Sequence, residues 1–422
     1  MLETATRRDM LKTTAALAAG ALAAARTAGA QPGAGAFGRI DTALRSAISA
    51  GDVPGVVAMA ATDRGVVYEG VFGKRRLPNG QAMTHDTVFR IASMVKLITS
   101  VAALQLVEQN RLSLDDPAPA IDPALSSPQV LDGFDKGKPL LRPAKRPITL
   151  RHLLTHTAGF TYALWDAKAV QYFDAVQKLP AIEKSNAPRA PLMFDPGERW
   201  QYGPNIDWVG RIVERISGER LEIYFQRHIF NPLGMKDTAF VITGEQRARE
   251  ASGHKRQADG ALLAEPQERQ VSGQPFTGGG GIYSTAPDYL TLLRALLAGG
   301  SLDGVSILRS DTVALMGQNQ IGTIEAGILK TTRSTVSNDI DFFPGVSLKW
   351  GLGHMINIQP GADGRSAGSL TWAGLLNTYY WIDPKRRIAA VFMTQVLPFA
   401  DEPALRVYHQ FERGLYYAIR SD

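Results

Sequence analysis

Two β-rich pairs stand at opposite ends of this 422-residue chain, and a single sheet must reunite them. Near the start, "VPGVVAMAATDRG" and "VVYEGVFGKRR" are joined by a polar turn and read as a hairpin. Near the end, "LTWAGLLNTYYWID" and "RIAAVFMTQVL" are joined by Asp383-Pro384-Lys385, a turn signal. Helical spacing flanks both pairs, in "FGRIDTALRSAISAG" before the first and "EPALRVYHQFERGLYYAIR" after the second. Strands at both ends and a mostly helical middle give an α+β domain: an antiparallel sheet of N- and C-terminal strands flanked by helices, with a helical insertion.

The middle carries apolar residues at three- and four-residue spacing in "TLRHLLTHTAGF", "NIDWVGRIVERISGERLEIYFQRHIF" and "APDYLTLLRALLAGG". Residues 118–147 are rich in proline and turn formers and read as a surface excursion. The expected division is 31–110 with 275–422 for the sheet domain and 111–274 for the mainly helical one.

Residues 1–30 stand apart. Arg7-Arg8 precedes an alanine-rich apolar run that ends in Ala28-Gly29-Ala30, the layout of a twin-arginine export signal cut after Ala30. The run is too short for a convincing membrane span. The expectation is therefore a periplasmic or secreted protein with no stable membrane span, whose one implied macromolecular partner is the twin-arginine export machinery. Zero cysteines fit export of a folded chain and rule out thiolate nucleophiles and cysteine metal sites. Without the four basic and two acidic side chains of residues 1–30, 42 basic face 38 acidic, too slight an excess for nucleic-acid binding.

Two serines compete for reactivity. "GRSAG", Gly364 to Gly368, fits the G-x-S-x-G elbow, and Asp383 and His409 follow in the order a triad needs. Yet a turn-rich segment precedes Ser366 and a strand-like run follows it, where an elbow requires a strand and then a helix. In "FRIASMVKLITSVAALQLVEQ", Ser93 opens a long helical pattern and Lys96 lies one turn further along the same face. A helix start offers free N–H groups and partial positive charge to an oxyanion. A lysine in such an apolar setting is expected to lose its proton at modest cost and act as a base. The spacing alone equally fits a serine helix cap with an exposed lysine, so the neighbouring motifs must decide.

Five segments decide it: "FRIASMVKLITS", "ITLRHLLTHTAGF", "PGERWQYGPNIDWVGRIVERISG", "IFNPLGMKDTAF" with "GGGGIYSTAPDYLTLLRALLAGG", and "LTWAGLLNTYYWIDPKRRIAAVFMTQ". In this order the chain resembles the serine β-lactamase and penicillin-binding-protein superfamily, in particular the class C β-lactamase-like branch with the family VIII carboxylesterases. The resemblance implies the β-lactamase/transpeptidase-like fold, with Ser93 as acylated nucleophile, Lys96 as its partner and Tyr202 sharing in proton transfer. Asn205, which follows Tyr202 by three residues where the family pattern has two, would be a polar substrate contact.

A further departure concerns the strand that lines the site, where class C β-lactamases have K-T-G and this chain has Trp372-Ala373-Gly374. Tryptophan puts an apolar wall where a cation for a substrate carboxylate would stand, which favours neutral acyl groups. The backbone N–H of Leu375 would join that of Ser93 as the oxyanion hole. The resemblance implies hydrolysis of small carboxylic esters with no metal or cofactor; a β-lactamase, a D-amino-acid peptidase or amidase, or an acyltransferase is the alternative. The partner is then a small-molecule ester or amide. His152 and His156, four apart, lack the glutamate of a zinc motif, and Thr277 to Gly281 lacks the G-K-[ST] of a phosphate loop. The glycines read as close packing at the edge of the site, with Tyr283 expected to line the pocket.

Overall fold

The computed structural model describes residues 37–180, 184, 191–267 and 276–420; residues 1–30, where an export signal is expected, lie outside them. Seven strands form one antiparallel sheet in the order Leu348–Trp350, Met355–Asn357, Ser369–Gly374, Thr378–Asp383, Ile388–Met393, Gly55–Thr62, Gly65–Gly73. The two ends of the chain meet where Val57 pairs with Met393 and Thr62 with Ile388. Both sequence-read hairpins are present, and their central strands are buried on both faces.

Neighbouring residues of a strand point to opposite faces, and Tyr380 and Trp381 show what covers each. Tyr380 packs on Tyr289 of the Ala286–Leu297 helix, whereas Trp381 packs on Phe411 of the terminal helix, Glu402–Arg420. The first helix, Gly38–Ala50, stops at Gly51 and lies against the terminal helix, with Ile40 seated where a side chain on Gly414 would go. Trp372 is the cross-strand partner of Tyr380 and shares its face.

The helix that follows Ser93, Val95–Glu108, is apolar nearly all round and buried from Val95 to Leu106, which makes it an interior element rather than a surface one. It packs against Asn205–Ser217, the longest described helix of the middle segment, which stops at Gly218. That segment is less helical than expected. "TLRHLL" yields only Leu150–Leu154, and residues 118–147 contain a hairpin, Gln129–Asp135 with Lys138–Pro143. Leu262–Ala264 pairs with His254–Arg256, which also takes Val396–Leu397 as a parallel neighbour. Short amphipathic runs lose to tertiary pairing in such places, because propensity is worth only tenths of a kcal/mol per residue.

Candidate active site

Ser93 sits in a one-turn 3₁₀ helix, Ala92–Met94, that runs directly into Val95–Glu108. Ala92 has φ of 45°, a left-handed conformation that costs a non-glycine residue of order 1 kcal/mol. The kink lifts Ser93 off the end of the preceding strand and leaves it half-buried, while Met94, Val95 and Leu97 anchor the turn from below. One turn on, Lys96 Nζ donates to Ser93 Oγ at 3.1 Å and to the Gly279 carbonyl at 2.8 Å.

The Lys96 ammonium is enclosed, 2% exposed. It lies 5.0 Å from the centroid of the Tyr202 ring and 5.5 Å from that of Tyr162, within hydrogen-bonding reach of both phenols. Burial pulls its pKa down, but Tyr162, Tyr202 and the Asp207 carboxylate outweigh that pull, and the pKa stands above the ordinary lysine value. The expectation of a readily deprotonated Lys96 is therefore corrected: an apolar setting and Tyr202 were legible in the sequence, the Asp207 carboxylate and the Tyr162 phenol were not. In the resting site Lys96 is a cation that orients oxygens. Burial likewise raises the Tyr162 phenol, more than Lys96 lowers it, so that phenol is neutral.

The third motif forms the facing wall. A side chain on Gly374 would come within 2.4 Å of the Ile91 carbonyl, so glycine lets the Ser369–Gly374 strand pass close beside the Ser93 turn. The Trp372 ring lies 4.8 Å from Tyr202 at a tilt, meets Trp350 edge-on at 4.7 Å and stacks on Phe342 at 5.3 Å, and its indole N–H points at the Tyr202 hydroxyl, 3.4 Å away. Trp372 is thus both an apolar wall and a weak donor to the phenol. Ser93, Tyr202, Trp372, Ala373, Gly374 and Leu375 line one narrow pocket together with Trp165, Leu329 and Phe399.

Two residues expected at the site lie elsewhere. Asn205 is fully buried outside the pocket lining, and its amide NH2 meets His156 Nδ1 (3.1 Å) and the Phe160 carbonyl (3.0 Å), so it ties the Asn205–Ser217 helix to the Phe160 loop. Tyr283 pairs with Ala239 and Arg90 and packs with Val88 and Ile242 in a separate cluster; the chain turns at Gly281 and carries it away from the cavity. His152 caps the Leu150–Leu154 helix, accepting from the Thr149 N–H, while His156 is buried among Trp200, Tyr202 and Trp350. The two histidines serve different contacts.

Ser366 has no triad around it. Its backbone N–H, not its hydroxyl, contacts Asp383, and His409 pairs with Asp363. Both Arg365 and Ser366 of "GRSAG" are buried, and Arg365 makes two 2.7 Å bonds to Glu412 and lies over Trp381.

Sequence reasoning passed over Tyr162, Trp165, Leu329, Phe399 and Asp207. Tyr162 stands two residues beyond "HTAGF" and Asp207 five beyond Tyr202, so the signal was proximity to a motif, without a period to mark it. The glycines of residues 277–281 do pack at the edge of the site: Thr99 Oγ1 donates to the Gly278 carbonyl at 2.6 Å, and the Gly279 N–H donates to Asp207 Oδ1 at 2.7 Å.

Residues 39–414 match the model of the Beta-lactamase family. The chain belongs to that family. This β-lactamase-family chain is 32% identical to lovastatin esterase of Penicillium rubens over 397 residues, covering 89% of this chain and 98% of the relative. It is 33% identical to monacolin J acid methylbutanoyltransferase of Aspergillus terreus over 407 residues, covering 89% and 95%. Among solved structures, a mutant of simvastatin synthase (LovD) from Aspergillus terreus superposes with a TM-score of 0.79 at 32% identity, covering 92% of this chain and all of that one. EstCE1, described as a hydrolase with promiscuous acyltransferase activity, shares the fold at a TM-score of 0.70 and 24% identity, covering 90% of this chain and 98% of that one. A family member with such relatives is a serine enzyme of the hydrolysing and acyl-transferring class.

Proposed function

We propose that this protein moves an acyl group from a small ester onto Ser93 and from there onto the hydroxyl of a second small molecule, with water as the competing acceptor. The observation that carries the reading is the 3.1 Å contact of Lys96 Nζ with Ser93 Oγ inside an aromatic, cation-free wall of Trp165, Leu329, Trp372 and Phe399. In the first half-reaction the Ser93 proton passes to the Lys96–Tyr202 pair, whose phenol oxygen also faces the Trp372 N–H. Ser93 Oγ bonds to the carbonyl carbon, the carbonyl oxygen takes the charge between the N–H groups of Ser93 and Leu375, and the alcohol leaves with the proton from that pair. In the second half-reaction the acceptor hydroxyl gives its proton to the same pair and takes the acyl group, restoring Ser93.

Transfer is preferred over the plain hydrolysis expected from sequence because one relative is named a methylbutanoyltransferase and the pocket is narrow and apolar, a poor place for free water. Hydrolysis remains the second reading, supported by the relative named an esterase. Trp372 in place of a cation speaks against carboxylate-bearing β-lactams. We further propose that the chain is exported through its Arg7-Arg8 signal and works outside the cytoplasm.

The test is turnover of p-nitrophenyl butyrate with and without an added primary alcohol, with the butyrate ester and free butyric acid quantified by mass spectrometry. New ester that rises with alcohol concentration is expected, and Ser93→Ala should lose about a thousandfold or more in rate. Unchanged turnover by Ser93→Ala would remove Ser93 from the chemistry; free acid alone at every alcohol concentration would return the function to hydrolysis.

A further inference from the structure

We infer that Asp207 is a positioning residue for Lys96, acting through the backbone of Gly279; this rests on the acyl-transfer reading of the site. Gly279 is bonded on both sides of its backbone: its N–H donates to Asp207 Oδ1 at 2.7 Å, and its carbonyl accepts from Lys96 Nζ at 2.8 Å. A side chain on Gly279 would stand 2.6 Å from Asp207 Oδ1 and 3.2 Å from Lys96 Nζ. Carboxylate and ammonium therefore lie within about 6 Å of each other with only this residue's backbone between them.

That arrangement does two things. A carboxylate on the N–H anchors Gly279 from one side of its Cα, and so fixes where the carbonyl on the other side stands. The carbonyl then holds Nζ at the height where its remaining protons face Ser93 Oγ and the phenols. The charge of Asp207 also acts directly on the ammonium and favours its protonated form. The groups facing Lys96 are Ser93 from its own turn, Tyr162 and Tyr202 from the middle segment, buried His156, the Gly279 carbonyl, and Asp207 from the first turn of the Asn205–Ser217 helix. Burial keeps His156 neutral, its pKa well below the ordinary imidazole value, and Lys96 adds to that. Asp207 is the one carboxylate of the group, and it is half-buried, so the anion keeps partial contact with water.

The test compares pH profiles of p-nitrophenyl butyrate turnover in wild type, Asp207→Asn and Asp207→Glu. Asparagine keeps an acceptor for the Gly279 N–H and removes the charge. Without the carboxylate the Lys96 ammonium loses its proton at lower pH, so the alkaline limb of kcat/KM should move down by about one unit or more. The value of kcat should fall about tenfold with KM little changed, and the melting temperature should stay near wild type. Asp207→Glu should restore the alkaline limb to its wild-type position with only part of the kcat.

An Asp207→Asn variant that loses activity or stability but keeps the wild-type alkaline limb would overturn the inference and leave Asp207 a structural cap. If asparagine prevents folding, Asp207→Glu still decides: a displaced limb with the charge retained overturns the inference as well. These outcomes are separate from failure of the acyl-transfer reading, which shows as free acid alone at every alcohol concentration or as turnover surviving in Ser93→Ala.

Discussion

Replacing Arg365 by methionine isolates an ion pair whose two side chains are both buried outside the active site. The guanidinium and Glu412 are 2% and 3% exposed, and two 2.7 Å bonds join them. The same cation donates to the Tyr408 hydroxyl and lies 4.7 Å from the Trp381 ring and 5.3 Å from that of Phe343. Methionine matches much of the side-chain volume, so the dominant cost is a Glu412 carboxylate left in the interior without its cation, about 3–5 kcal/mol. With about 2.1 cal/mol/K per residue of unfolding entropy, a chain of this length has roughly 0.9 kcal/mol/K, so the loss is a melting shift of roughly 3–6 °C.

Scanning calorimetry at neutral pH reads the shift directly. The double variant Arg365→Met with Glu412→Met removes both charges and should recover most of it. Ser366→Ala is the neighbouring control and should stay within about 1 kcal/mol of wild type with most ester turnover intact, because the bond to Asp383 comes from the backbone. A double variant no more stable than Arg365→Met would refute the reasoning, since the unpaired carboxylate would then not be the cost.

Two more outcomes follow from the site and the leader. Trp372→Phe keeps the aromatic wall but removes the N–H aimed at the Tyr202 oxygen, and should lower kcat by about tenfold with a smaller change in KM, measured with the same chromogenic ester. Changing Arg7 and Arg8 together to lysine should leave the chain in the cytoplasm; equal recovery from the periplasmic fraction of a bacterial host would remove the export proposal.

What the sequence discloses follows the range of the forces involved. Ser93 and Lys96 were legible because three residues of helix bring side chains together whatever the rest of the chain does. The sheet was legible at both ends because its strands are long, apolar and rich in β-branched and aromatic residues. Asp207 was not, because it reaches Lys96 through Gly279, 72 positions away in the chain, a backbone contact that no spacing rule encodes. Asn205 was misplaced for a related reason: His156 and the Phe160 carbonyl claim its amide, and both are remote in sequence. The charge on Lys96 was misjudged because burial can be read from neighbours, whereas the phenols and carboxylate that oppose it come from other segments.

The joining of first and last strands also sets a clock on synthesis. Thr394 Oγ1 bonds to the Gly55 carbonyl 339 positions away, beside the strand pair that closes the sheet. At about 5–20 residues per second the hairpin Gly55–Gly73 leaves the ribosome roughly 15–70 s before that partner is made. Throughout that interval the Gly55–Thr62 strand presents an unpaired apolar edge, the feature that recruits foreign strands. A cell making this protein must therefore shield its first hairpin until translation is nearly complete, and chains terminated before residue 388 carry the edge permanently. Their fate is predicted to be aggregation or proteolysis, with no partly active fragment.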